Sequence, residues 1–134
     1  MQRIILFSII AILTTLSGMA KSSHLLEFAE TSYDFGTVAD TAEPIVHEYE
    51  FINTDSEPVA VLSVSTGCGC TRPEYPVKPL APGEKGKIKI TFLPSGQSGE
   101  INKDIKVRYR GAKASSSKRI TLRLKGFVTP AEKR

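Results

Sequence analysis

Apolar and polar residues alternate along much of this chain with a period of two. The pattern is clearest over 45–53, where Ile45, His47, Tyr49 and Phe51 share one face and Glu48 and Glu50 the other. That is the signature of a half-buried β-strand. It recurs at Ile88, Ile90 and Phe92 against Lys87, Lys89 and Thr91, and at Ile105, Val107 and Tyr109 against Lys106 and Arg108. A last strand sets Ile120, Leu122 and Leu124 against Thr121, Arg123 and Lys125 and reaches Val128. Leu25–Ala29 and Tyr33–Val38 predict two short strands or one broken strand. Val59–Val64 is apolar on both faces and predicts an interior strand.

Turn chemistry separates these segments. Ala39–Pro44 reads as a polar turn, and Asn53-Thr54-Asp55-Ser56-Glu57-Pro58 is rich in side chains that bond their own backbone. Pro82–Lys85 reads as a tight turn, Pro94–Gly99 as a turn, and Gly111–Ser117 as a flexible polar loop. Pro73, Pro76, Pro79 and Pro82 argue against regular hydrogen-bonded structure before Gly83. About seven to eight short strands, with turn residues between them and no helical pattern, predict an all-β fold. The expected architecture is an immunoglobulin-like antiparallel β-sandwich with Greek-key connections. The last two strands would then be neighbours, and Glu48 and Glu50 would face Lys87 and Lys89 in the other sheet.

The first 20 residues follow a different logic. Arg3, the apolar run Ile4–Leu16 and the small residues Ser17-Gly18-Met19-Ala20 read as a secretory signal peptide cut after Ala20. The run is short of the roughly 20 apolar residues that cross a bilayer. No cysteine lies near the cut to carry a lipid. The mature chain is therefore expected to be periplasmic or secreted, without stable membrane insertion. It would form one domain over 21–128 with a disordered tail over 129–134. A formal charge of +4 is of the sign that suits a nucleic-acid partner, but export argues against one. Residues 21–84 carry 3 Lys or Arg against 11 Asp or Glu, and residues 85–125 carry 12 against 2. The acidic and basic parts are thus segregated along the chain.

Both cysteines lie in Gly67-Cys68-Gly69-Cys70-Thr71-Arg72. Two thiols one residue apart can form a disulfide, exchange with other disulfides, bind a soft metal or pack as thiols. A disulfide needs Cα atoms about 4.4–6.8 Å apart, which a tight turn through Gly69 at positive φ can supply. Such a small ring restricts little of the unfolded chain. Arg72 would favour a thiolate, but no helix N-terminus or histidine is nearby, and the best-known redox motif has two intervening residues. Cys68 and Cys70 alone suit at most Cu(I). A closed zinc site needs four ligands, and His24 and His47 lie far off in sequence, His47 as a strand residue at a sheet edge. No metal and no cofactor are assigned. Paired carboxylates, HExxH and a nucleophile elbow are all missing from the sequence, so no catalytic residue is assigned and no enzyme is expected.

Tyr33-Asp34-Phe35-Gly36, His47…Phe51…Asn53-Thr54, Cys68-Gly69-Cys70-Thr71 and Pro82-Gly83-Glu84-Lys85-Gly86 occur in that order. This series resembles the DUF1573 family of exported bacterial domains, from about Phe28 to Val128. The resemblance implies an immunoglobulin-like sandwich related to domains of ciliary and centrosomal proteins, with no agreed activity. Two surfaces stand out as binding candidates. One is the cysteine loop Gly67–Arg72; the other is a basic face of Lys106, Arg108, Arg123 and Lys125, suited to an anionic glycan, a lipid head group or an acidic envelope protein. An open sheet edge offers strand addition. The expected function is a non-enzymatic binding or scaffolding module of the cell envelope. The alternative is a periplasmic thiol-redox or copper-handling protein acting through Cys68-Gly69-Cys70.

Overall fold

The computed structural model describes residues 24–131. The signal peptide expected over 1–20 and residues 132–134 of the expected tail lie outside the described residues. Eight strands follow in chain order: β1 (Leu26–Phe28), β2 (Ser32–Ala39), β3 (Ile45–Asn53), β4 (Val59–Ser65), β5 (Thr71–Glu74), β6 (Lys85–Phe92), β7 (Gly99–Gly111) and β8 (Lys118–Thr129). They form two four-stranded sheets, ordered β1-β3-β6-β5 and β2-β8-β7-β4. No helix occurs among the described residues. The expected sandwich is present with one exception to its antiparallel pairing: β2 runs parallel to β8.

The inward residues of the two sheets make one core. Tyr49, Ile88, Ile90 and Phe92 from one sheet meet Ile105, Val107, Tyr109, Leu122 and Leu124 from the other, and all are essentially inaccessible to solvent. These are the inward positions that the alternation specifies, and burying each side chain stabilises by about 1.5–3 kcal/mol relative to exposure. Of the outward acids and bases of β3 and β6, one pair meets, and it does so diagonally, while Lys89 turns to the acid opposite it on β5. Glu48 lies opposite Lys89 and Glu50 opposite Lys87, while the ion pairs are Lys87–Glu48 at 3.1 Å and Lys89–Glu74 at 3.6 Å.

Three features depart from the sequence reading. The proline-rich segment is not irregular throughout, because Pro73 lies inside β5, opposite Ile90. β5 is an edge strand bonded only to β6, so the missing N–H of proline can face away from the ladder. Farther on, Leu80 and Val59 exchange backbone hydrogen bonds of 3.0 and 2.8 Å. Second, β4 is not a plain interior strand. Its register against β7 shifts between Val61 and Ser63, so Leu62 is an extra residue, a β-bulge. Val61 and Val64 therefore both pack toward the core, while Ser63 and Ser65 turn outward opposite Arg108 and Lys106. Third, the last strand continues to Thr129, which pairs with Ala39.

Candidate binding surface

The cysteine loop begins where β4 ends. Thr66 Oγ1 donates to the carbonyls of Cys68 and Thr71 at 3.2 and 3.1 Å, closing the loop across its base. Cys68 and Cys70 are joined by a disulfide with their Cα atoms 5.3 Å apart. The Cys70 N–H donates to Cys68 Sγ at 3.2 Å, and the Leu93 N–H donates to the Cys70 carbonyl at 2.9 Å. The glycine with positive φ is Gly67, at 67°, and not Gly69. The chain reverses immediately after β4, before the cysteine ring begins, so the left-handed residue is needed there. Thr71 is buried and Arg72 exposed, on β5 opposite Thr91. In this form the pair presents no thiolate for exchange or for Cu(I).

The basic face is built by register. Ser63, Arg108 and Arg119 stand in one row across β4, β7 and β8, and Ser65, Lys106 and Thr121 in the next. Ser63, Ser65, Lys106, Arg108 and Arg119 line a shallow hollow of about 190 Å³. The Leu62 bulge puts the two hydroxyls there; bulges commonly re-aim side chains in this way. Without the extra residue, Leu62 would stand opposite Arg108.

The four basic residues expected to share a face do not form one patch. Arg123 Nε bonds Asp104 Oδ1 at 3.2 Å. Lys125 lies opposite Asp34 and Asn102 and borders a separate hollow with Phe127. Arg119 joins Lys106 and Arg108 instead. Sequence reasoning passed over it by starting the last strand at Ile120, although the Arg123–Thr121 spacing, extended by two residues, reaches it.

The loop and the basic face are continuous. Ser65, Thr66 and Gly67 from the loop stem line a hollow of about 250 Å³ with Asn102, Lys103, Asp104 and Lys106. Arg108 and Arg119 stand directly opposite each other, an arrangement that costs energy when the charges are alike. Among the described residues, neither they nor Lys106 has an ion-pair partner.

Histidine chemistry lies elsewhere. His47 stacks on Tyr33 with ring centroids 3.7 Å apart and meets the Tyr49 ring edge-on at 4.7 Å. Its Nε2 pairs with Glu30 Oε1. It occupies the half of β3 that β1, paired only with Phe51–Asn53, leaves uncovered. His24 Nδ1 lies 3.2 Å from the Tyr109 hydroxyl. Among the described residues no three histidine, cysteine or acidic side chains gather as a metal site. Burial pushes the phenol of Tyr49 well above its ordinary range, with Glu30 and Tyr33 adding to the effect. Burial raises Tyr109 as well.

Comparison with known proteins places this arrangement in context. The family model "Protein of unknown function (DUF1573)" matches residues 26–128. Comparison with curated proteins finds no match. Among solved structures, the chain is similar to the ASH/PapD-like domain 7 of human CEP192, with a TM-score of 0.67 and 20% identity over 88% of this chain and 98% of that one. A protein of unknown function from Porphyromonas gingivalis W83 gives 0.63 at 19% identity, over 77% of this chain and 46% of that one. The YadV chaperone gives 0.57 at 14% identity, over 81% and 53%. The chain thus spans only about half of the last two. At these identities the similarity establishes the fold, a PapD-like, immunoglobulin-like sandwich.

Proposed function

The chain belongs to the DUF1573 family, and on that premise we propose that it is an exported, non-enzymatic binding or scaffolding module of the bacterial cell envelope. It engages an anionic partner through the outer face of the β2-β8-β7-β4 sheet. The observation that carries this reading is the cluster of Lys106, Arg108 and Arg119, exposed and without carboxylate partners on a rigid sheet. A basic face of this kind attracts anions over distances near the Debye length, about 8–10 Å. YadV is a chaperone, and its shared fold supports a binding role by architecture alone. Among the described residues no helix is long and apolar enough to cross a membrane.

Cell fractionation followed by site-specific photo-crosslinking tests the reading. A crosslinker at Thr121, beside the cluster, should yield discrete adducts in the envelope fraction, and one at Glu48 on the opposite sheet should not. Retention in the cytoplasm, or equal adducts at both positions, would refute it. A Cys68→Ser/Cys70→Ser variant should keep the Thr121 adducts. Their loss would favour the thiol-based alternative.

A further inference from the structure

We infer that Ser63, Ser65, Lys106, Arg108 and Arg119 bind the phosphate group of a phosphorylated sugar, a reading that rests on the anionic-partner face proposed above and names its chemistry. Three cationic side chains and two hydroxyls surround one hollow of about 190 Å³. A carboxylate brings one negative charge and two oxygens to that set. A phosphate monoester brings about −1.5 to −2 charge and three strong acceptor oxygens. It therefore uses more of the donors and relieves more of the repulsion between Arg108 and Arg119 across the β7–β8 ladder. The guanidinium forks suit such an anion because they bind its oxygens in pairs.

The neighbouring hollow argues for a sugar as the carrier. Ser65 and Lys106 belong to both hollows, and the second adds Thr66, Asn102, Lys103 and Asp104. That set mixes donors and acceptors at the spacing of adjacent side chains, which is what sugar hydroxyls require. A lipid head group would call for apolar side chains beside the phosphate site. Among the described residues the large exposed apolar side chains are Val46, Val77 and Phe127, and none of them lines either hollow.

Amide chemical-shift titration of the purified protein tests this, with glucose 6-phosphate, inorganic phosphate, glucose and phosphatidylglycerol vesicles as probes. Glucose 6-phosphate should saturate, moving the amides of Ser63, Ser65, Lys106, Arg108 and Arg119 together with Asn102. The Arg108→Gln/Arg119→Gln variant loses two charge-assisted donors and should bind about a hundredfold more weakly or worse. That variant should keep or raise its thermal midpoint, because a like-charge pair has been removed. A fall in midpoint would mark the arginines as structural and overturn the proposal. It is equally overturned if inorganic phosphate binds as tightly, leaving an adventitious ion only. Preference for vesicles, equal binding of glucose, or shifts that spread to Lys85, Lys87 and Lys89 on the other sheet would also overturn it. Thr121 adducts without sugar-phosphate binding would sink this inference alone. Sugar-phosphate binding without envelope adducts would sink the proposed function alone.

Discussion

The Tyr49 hydroxyl, on β3, donates a 2.7 Å hydrogen bond to the backbone carbonyl of Arg123, on β8. One buried phenol thereby ties the two sheets together behind a residue of the charged outer face. Removing the hydroxyl in Tyr49→Phe should cost about 1 kcal/mol near neutral pH, read from urea unfolding. Alkaline stability should change as well. The phenol is held above its ordinary value near 10 in the folded state, so it stays protonated there while the unfolded chain ionises. The contribution is complete below pH 10 and is lost as pH rises above it, at up to about 1.4 kcal/mol per pH unit. The stability gap between wild type and Tyr49→Phe should therefore shrink above about pH 10. A gap that stays constant to pH 11 would contradict this account.

Gly126 is required by a ring. A Cβ at this position would lie 2.2 Å from the Phe35 ring, which crosses β8 there and stacks on Phe92 with centroids 5.4 Å apart. Gly126→Ala should destabilise by about 1–3 kcal/mol through overpacking. Phe35→Ala opens the space, so the double variant should be more stable than the sum of the two single effects implies. Strict additivity in a thermal-unfolding cycle would mean that the ring does not set the requirement for glycine.

Asn53 is the buried polar residue that organises the β3–β4 turn. Its Nδ2 donates to the carbonyls of Glu57 and Leu80, both at 3.0 Å, and its Oδ1 accepts from the Asp55 N–H at 2.9 Å. Asn53→Ala leaves three backbone groups to find other partners. A loss of about 2–4 kcal/mol is expected in chemical denaturation. A loss below about 0.5 kcal/mol would show that water replaces the side chain without cost.

The Cys68–Cys70 disulfide closes a ring across a sequence separation of 2. So small a ring removes little entropy from the unfolded chain, and reduction should cost no more than about 2 kcal/mol. The Thr66 bonds and the Leu93–Cys70 backbone bond should hold the loop in a Cys68→Ser/Cys70→Ser variant. Unfolding of that variant at room temperature would assign the disulfide a far larger structural role.

The alternation of side chains was enough to identify β3, β6, β7 and β8, because period-two burial is local and leaves its mark on each of those segments. It specified Tyr49, Ile88, Ile90, Phe92, Ile105, Val107, Tyr109, Leu122 and Leu124 as core. The turn chemistry at Asn53 was legible for the same reason. The binding surface was only half legible. Lys106 and Arg108 could be placed on an outward face, but which residues stand beside them depends on register. Register is decided by strands tens of residues apart: Asp104 reaches Arg123, Arg119 lands opposite Arg108, and the Leu62 bulge brings Ser63 and Ser65 alongside. Pro73 likewise could enter a strand only because β5 lies at a sheet edge, and a position in the sheet is not written in any local pattern. What local alternation determines is which way a side chain points. What only the tertiary structure decides is which side chains meet, because pairing is a property of two segments together.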